Sequence, residues 1–346
     1  MQNLNDVEAI KKIDPKDTLG STELLVTQLE TAWKEVQSVT LEPFQDIKNI
    51  VFCGMGGSIY CALVVRALFG SKFPYPTEVV SDYHLPSYVD ESTLVVLSSY
   101  SGTTEEVLSC AQEAREKAAK ILVLTKGAQL GDFAKANNIP GYIFDGKLNP
   151  AGIPRLGNGY TIMGLMGLLQ KTNVLQFDSS LLEEGIRKLK TKMETIKQTA
   201  KQQASVYQNV IPIIFSAEHL NGNAQIFRNQ FNETSKTFSA YYLVPDLNHH
   251  LMEGLQFPKE SKLRFIALQS KNYTPKNHKR MALTIDVVKQ NKHIIDIYET
   301  TGDTIFDDFL EIIAYSSYLT LYLGLLYDQN PAVNHWVDYF KQQLAK

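Results

Sequence analysis

Short apolar runs bounded by polar residues or glycine recur through the first half of the chain, at residues 47–53, near 79, and at 93–97, 120–125 and 141–144. Runs of this length, rich in Val, Ile and Leu without polar alternation, read as strands buried on both faces. Between most of them lie segments of helix length, such as residues 59–68 and 107–118, with apolar positions at helical spacing. This alternation predicts a doubly wound parallel sheet. Upstream, residues 22–33 carry an amphipathic helical pattern, and Pro15 and Pro43 bound that region. The second half repeats the grammar without copying the sequence. Strands are expected at residues 210–215, 238–244, 263–268 and 293–298, and helices at 222–234, 276–290, 305–326 and 333–344. A polar, Lys- and Gln-rich helix from Ser179 to about Gln208 connects the halves, and Pro212 lies at the start of the next strand. The expected organisation is two α/β units, residues 1–175 and 176–346.

Composition narrows the picture. A chain of 346 residues suits two domains better than one core. Its 44% apolar and 21% charged residues are those of a globular protein. A net charge of −3 supplies no basic field for nucleic acid or an anionic membrane. Cys53, Cys61 and Cys110 form no C-x-x-C pair, as expected of buried thiols in a reducing cytoplasm. The N-terminus shows no signal-peptide pattern. The apolar run at residues 162–169 is far shorter than a membrane span, and is taken as the longest in the chain. The expectation is a cytoplasmic protein without membrane or nucleic-acid partners.

Two turns carry candidate chemistry. Ser98-Ser99-Tyr100-Ser101-Gly102-Thr103-Thr104-Glu105-Glu106 joins a buried strand to a helix. Thr103 or Thr104 suits the N-cap, and the two glutamates favour the positive end of the helix dipole. Ser99, Ser101 and Thr104 can converge with free N–H groups on a phosphate, or the turn can simply cap its own helix. Gly54-Met55-Gly56-Gly57-Ser58 follows the first strand. It fails the dinucleotide fingerprint because Ile59 stands where the third glycine belongs. Gly56 and Gly57 can let backbone approach a sugar phosphate, with Ser58 adding a hydroxyl, or can form a tight turn alone. Arg155, wedged after Pro154 ahead of an apolar helix, is either a surface arginine or a guanidinium that meets substrate or a developing oxyanion. The seven histidines are scattered, so no metal site and no cofactor is expected.

The Ser-Tyr-Ser-Gly-Thr-Thr-Glu-Glu stretch resembles the phosphosugar-binding loop of the sugar isomerase (SIS) domain family. Further segments resemble, in order, one branch of it, the bifunctional phosphoglucose/phosphomannose isomerases. These are Pro154-Arg155, Arg228-Asn229-Gln230-Phe231-Asn232-Glu233, Asp246-Leu247-Asn248-His249-His250-Leu251-Met252-Glu253-Gly254, and the stretch from Pro331 to Lys341. His250 and the bulky Trp336-Val337 depart from the usual pattern, which bears on substrate preference more than on reaction class.

The resemblance implies two SIS-type three-layer αβα domains, each a parallel, flavodoxin-like sheet flanked by helices. It implies interconversion of glucose 6-phosphate and mannose 6-phosphate with fructose 6-phosphate through a cis-enediolate. Glu233 would move the proton between C2 and C1, and Phe227 and Phe231 would give it an apolar wall. His249, donated by the neighbouring subunit of a homodimer, and Lys341 would serve ring opening. Arg155 would face the enediolate oxygens, and Ser58, Ser99, Ser101 and Thr104 would hold the phosphate. Other SIS-domain isomerases and a non-catalytic sugar-phosphate sensor are the alternatives.

Overall fold

The computed structural model describes residues 4–344 and Lys346. Three entry helices, α1 (Val7–Ile13), α2 (Thr18–Glu23) and α3 (Leu25–Ser38), precede the first α/β unit. That unit runs β1 (Asn49–Cys53), α4 (Tyr60–Phe69), β2 (Thr77–Val80), β3 (Thr93–Ser99), α5 (Glu105–Glu116), β4 (Lys120–Thr125), α6 (Ala128–Ala136), β5 (Gly141–Ile143) and α7 (Asn158–Lys171). The connecting helix is α8 (Ser179–Gln203). The second unit runs β6 (Ile211–Ala217), α9 (Asn221–Glu233), β7 (Ala240–Val244), α10 (Leu251–Gly254), β8 (Leu263–Gln269), α11 (Pro275–Gln290), β9 (Ile294–Glu299), α12 (Ile305–Leu326) and α13 (His335–Leu344).

Both sheets are wholly parallel. The first has the order β2-β1-β3-β4-β5, the flavodoxin-like arrangement, and the second repeats it one strand short as β7-β6-β8-β9. In the first sheet Ile50, Phe52, Leu94, Val96, Leu122 and Leu124 face a core with α3, α4 and α7. The alternate residues Val51, Cys53, Val95, Leu97 and Val123 face a smaller core under α5 and α6. Period-2 alternation with both faces apolar is what erased polar positions from these strands. The larger core runs on without a break into α8, α9 and α12 of the second half. At the junction Gly222 lets α9 press onto α4, since a Cβ there would lie 2.5 Å from the Leu63 carbonyl.

Every expected strand is present, with small shifts in bounds. β3 runs two residues beyond 97 and so takes in Ser98 and Ser99, while α6 and the short α10 were not anticipated. Among the described residues the longest largely apolar segment is α12, not residues 162–169. This 22-residue helix is long and apolar enough to cross a membrane, its most apolar stretch having a mean hydropathy of 1.5, but 94% of that stretch is buried inside this molecule. Asp307, Asp308, Glu311, Ser316 and Ser317 interrupt the apolar run and hide its length in the sequence.

Candidate active site

The first sheet sends its chain to opposite faces after β1 and after β3, and the crevice between those two strand ends is where such sheets take ligands. Both motif turns lie there. Thr104 occupies the N-cap position of α5, yet its hydroxyl does not cap the helix. It bonds instead to the Ser99 hydroxyl at 2.7 Å. Ser99 Oγ also accepts from Gly102 N–H at 3.1 Å. No described residue accepts from the first-turn N–H groups of Glu105, Glu106 and Val107, so the positive end of α5 is open to an anion. Ser101 is exposed and Ser99 is buried. Gly102 adopts φ +75°, and a Cβ there would sit 1.8 Å from the Gly127 carbonyl, so only glycine fits.

Ser58 is buried, and its hydroxyl accepts from Tyr100 N–H at 2.8 Å while its carbonyl accepts from Ser98 Oγ at 2.6 Å. The two turns are therefore laced together. Gly57 lies against a third turn, Pro154–Leu156, where a Cβ would come 2.7 Å from Arg155 N. Tyr100 braces that turn from the other side through Asn149, which donates to the Tyr100 hydroxyl and to the Ile153 carbonyl, both at 2.9 Å.

Arg155 leaves this cluster and crosses into the second half. Only 3% of its side chain is exposed. Its Nε donates to Thr234 Oγ1 at 3.1 Å, Nη1 to Glu233 Oε2 at 3.1 Å and Nη2 to the Pro331 carbonyl at 2.5 Å. Three of the five guanidinium N–H groups are thus engaged, which offsets the cost of burying the charge. Glu233, at the last turn of α9, keeps 30% of its side chain exposed. Its Oε2 also accepts from Asn334 Nδ2 at 3.2 Å. Lys236 Nζ donates to the Glu233 carbonyl at 2.5 Å. Withdrawal of that amine from water, and then repulsion by Arg155, bring Lys236 down to about 8, with Glu233 pulling the other way. A surface cavity of about 390 Å³ reaches Glu233 from the β7 side, past Arg228, Asn229, Asn232 and Tyr241.

The expected apolar wall is not there. Phe227 and Phe231 stack on each other in the core, with ring centroids 4.7 Å apart, beside Tyr207 and Tyr315. Glu233 lies two residues past Phe231, so the helix turns it away from that face and toward Arg155 and Asn334. His249 and Lys341 are exposed, and their side chains make no hydrogen bond or ion pair with another described residue. His249 follows the C-terminal end of β7, whereas Glu233 precedes its N-terminal end, and the five residues of that strand alone span roughly 16 Å. Contacts thus link the turns that hold Ser99, Ser101 and Thr104 and Gly56, Gly57 and Ser58 to Arg155 and Glu233, while the side chains of His249 and Lys341 take no part in them. Thr234 and Lys236 are site neighbours outside the segments that carry the resemblance, and Asn334 lies within the Pro331–Lys341 stretch but was given no role there. Thr234 directly follows Glu233 in sequence and Lys236 lies three residues past it, the only signal either gave.

An αβα pair of parallel sheets with a hydroxyl turn at an open helix N-terminus defines a SIS-domain protein. Residues 44–137 match the SIS domain family, and residues 196–344 match the bacterial phospho-glucose isomerase C-terminal SIS domain. Of solved structures, a hypothetical protein from Thermus thermophilus superposes with a TM-score of 0.72 at 14% identity, covering 98% of this chain and 93% of that one. The tagatose-6-phosphate ketose/aldose isomerase of Escherichia coli gives 0.63 at 13% identity, covering 94% and 93%. Among curated relatives, a bifunctional phosphoglucose/phosphomannose isomerase of Caldicellulosiruptor bescii is 30% identical over 93% of this chain and 97% of that protein. Its counterpart in Aquifex aeolicus is 30% identical over 91% and 94%. The chain belongs to the bifunctional phosphoglucose/phosphomannose isomerase family.

Proposed function

We propose that this protein interconverts glucose 6-phosphate and mannose 6-phosphate with fructose 6-phosphate by proton transfer through a cis-enediolate. The observation that carries the reading is the contact of Arg155 with Glu233. It ties a carboxylate of the second half to the hydroxyl turns of the first through the Gly57–Arg155 backbone contact. Ser101, Thr104, Ser99 and Ser58, with the open N–H groups of α5, take the phosphate. Binding energy from that remote group then positions C1 and C2 at Glu233. Glu233 takes the proton from one carbon and returns it to the other. The two N–H groups of Arg155 left unengaged face the enediolate oxygens. A C2 epimer shares the same enediolate, so one site serves both aldoses.

Ring opening falls to His249 and Lys341. The length of β7 between Glu233 and His249 supports delivery of His249 by a neighbouring subunit, and hence a working homodimer in the cytoplasm. The apolar residues Trp336, Val337, Tyr339, Phe340 and Leu344 of α13 are all exposed and fit such an interface. We place the division between the two units at residues 175 and 176, just before α8.

The test is incubation of fructose 6-phosphate with the protein in D2O and EDTA, followed by proton NMR. Glucose and mannose 6-phosphates carrying deuterium at C2 are expected. Glu233→Gln should bind the sugar phosphate and give no turnover. Binding by the native protein without exchange or turnover leaves a sensor and ends the isomerase reading.

A further inference from the structure

The two oxygens of the Glu233 carboxylate are not equivalent. Oε2 accepts from Arg155 Nη1 at 3.1 Å and from Asn334 Nδ2 at 3.2 Å, whereas Oε1 accepts from no described residue. Asn334 comes from the turn between α12 and α13, and the same turn gives its Pro331 carbonyl to Arg155 Nη2. Two residues three apart thus hold the two members of one ion pair. The turn is itself fixed, because Asn330 Oδ1 accepts from Ala332 N–H at 2.9 Å and the Asn334 carbonyl accepts from Asp338 N–H at 2.9 Å as α13 begins.

We propose that Asn334 is a positioning residue for the reaction, pinning Oε2 together with Arg155 so that Oε1 is the oxygen that carries the proton. In the aldose-to-ketose direction the C2–H bond breaks and its proton goes to Oε1. The bonding pair forms C1=C2 while the carbonyl pair moves onto O1. The O2 proton then passes to O1, the pair collapses to C2=O2, and Oε1 returns its proton to C1. A carboxylate free to rotate would present either oxygen, and transfer demands alignment within a few tenths of an ångström. Asn334 acts through its bond to the base, so its loss lowers turnover and spares binding.

This rests on Glu233 being the base, and the experiment separates the two claims. Asn334→Ala, Asn334→Asp and Glu233→Gln are compared by steady-state kinetics on fructose 6-phosphate, each first shown to melt within a few degrees of the native protein. Asn334 is only half-buried at the start of a helix, so the substitutions leave the core untouched. Asn334→Ala should lower kcat about tenfold with KM unchanged within twofold. Asn334→Asp, of the same shape but an acceptor of like charge, should lower kcat further, about a hundredfold. A merely structural asparagine gives the opposite order, with the isosteric aspartate milder than alanine. That order, or a kcat within twofold of native in both variants, overturns the proposal, and so does a rise in KM matching the fall in kcat. If Glu233→Gln keeps native turnover, the reading of Glu233 itself has failed.

Discussion

The carboxyl edges of the two sheets are built on one topology and have opposite character. On the first, hydroxyls, glycines and unengaged helix N–H groups line the crevice between β1 and β3, and the side chains that close it, Ser99 and Thr104, bond only to each other and to Gly102 N–H. On the second, the chain fills the same place with its own carboxylates. Asp308, fully buried, accepts from Ser270 Oγ at 2.6 Å and Asn272 Nδ2 at 2.8 Å, and meets His219 Nε2 at 3.0 Å. Glu218 takes Thr274 N–H, the Thr274 hydroxyl and Asn277, and Glu311 takes Thr301 and Lys192. Serine, asparagine and backbone donors at strand ends are what would grip a phosphate, and here an internal anion already satisfies them. One edge leaves its donors unengaged while the other is sealed, and this difference supports the proposed single site at the first edge.

The largest effect that would break this comparison is at the seal. Burial alone pushes the Asp308 carboxyl up, but the donors of His219, Asn272 and Ser270 outweigh it and hold the group below the usual range. Asp308→Ala strands three donors at once, the buried His219 and Ser270 and the half-buried Asn272. We expect a loss of about 3 kcal/mol or more in unfolding free energy by urea titration, with sugar-phosphate affinity at the first edge retained in the folded protein. A destabilisation under about 1 kcal/mol would mean that the sealed edge is not what holds the second unit together.

The open edge should respond the other way. Ser101 is exposed and bonds only within its own turn, to Thr103 N–H at 3.3 Å and the Thr103 hydroxyl at 3.1 Å. Ser101→Ala is expected to leave the melting midpoint in place and to raise KM for fructose 6-phosphate about tenfold, roughly 1.4 kcal/mol of binding. An unchanged KM with an unchanged midpoint would remove the phosphate from this turn.

The contrast between the edges also marks what could be seen in the sequence. The strands were legible because parallel strands buried on both faces leave uninterrupted Val/Ile/Leu runs, as at β3 and β4. The open edge was legible because a binding turn concentrates Ser, Thr and Gly in one stretch. The sealed edge was not, since Glu218, His219, Ser270, Asn272 and Asp308 come from three separate segments and only folding brings them together. Asn334 was hidden for the same reason, lying 101 positions from the glutamate it holds. The error at Phe227 and Phe231 is of another kind. Helical spacing gave their shared face correctly, but Glu233 falls beside that face and not on it. Expectation about α6 was missing because its Gly131 and polar Gln129 and Asp132 blur the short apolar stripe that Leu130, Phe133 and Ala134 supply.

The smallest expected effect concerns the lysines of the two regions. At the sealed edge Lys271 and then Lys188 bring Asp303 down to about 2, and Asp303 in turn raises Lys188. Each cation there has an anion to face. Lys236, beside the open site, has instead lost water around its amine and faces Arg155, and stands at about 8 rather than 10.5. For a lysine lowered on folding, the unfolded chain holds the proton where the folded chain has released it. The penalty is therefore full below about 8 and relieved as pH rises toward 10.5. Because the residue as a whole is exposed, solvent screens the effect and it will be modest. Lys236→Met removes it together with the bond to the Glu233 carbonyl, so the informative quantity is how the gap between the two proteins changes with pH. From pH 7 to 9.5 the native protein should gain stability relative to Lys236→Met in urea titrations. Parallel curves would mean that the amine is solvated as freely as those of Lys188 and Lys271, and that the open site imposes no strain on its own cations.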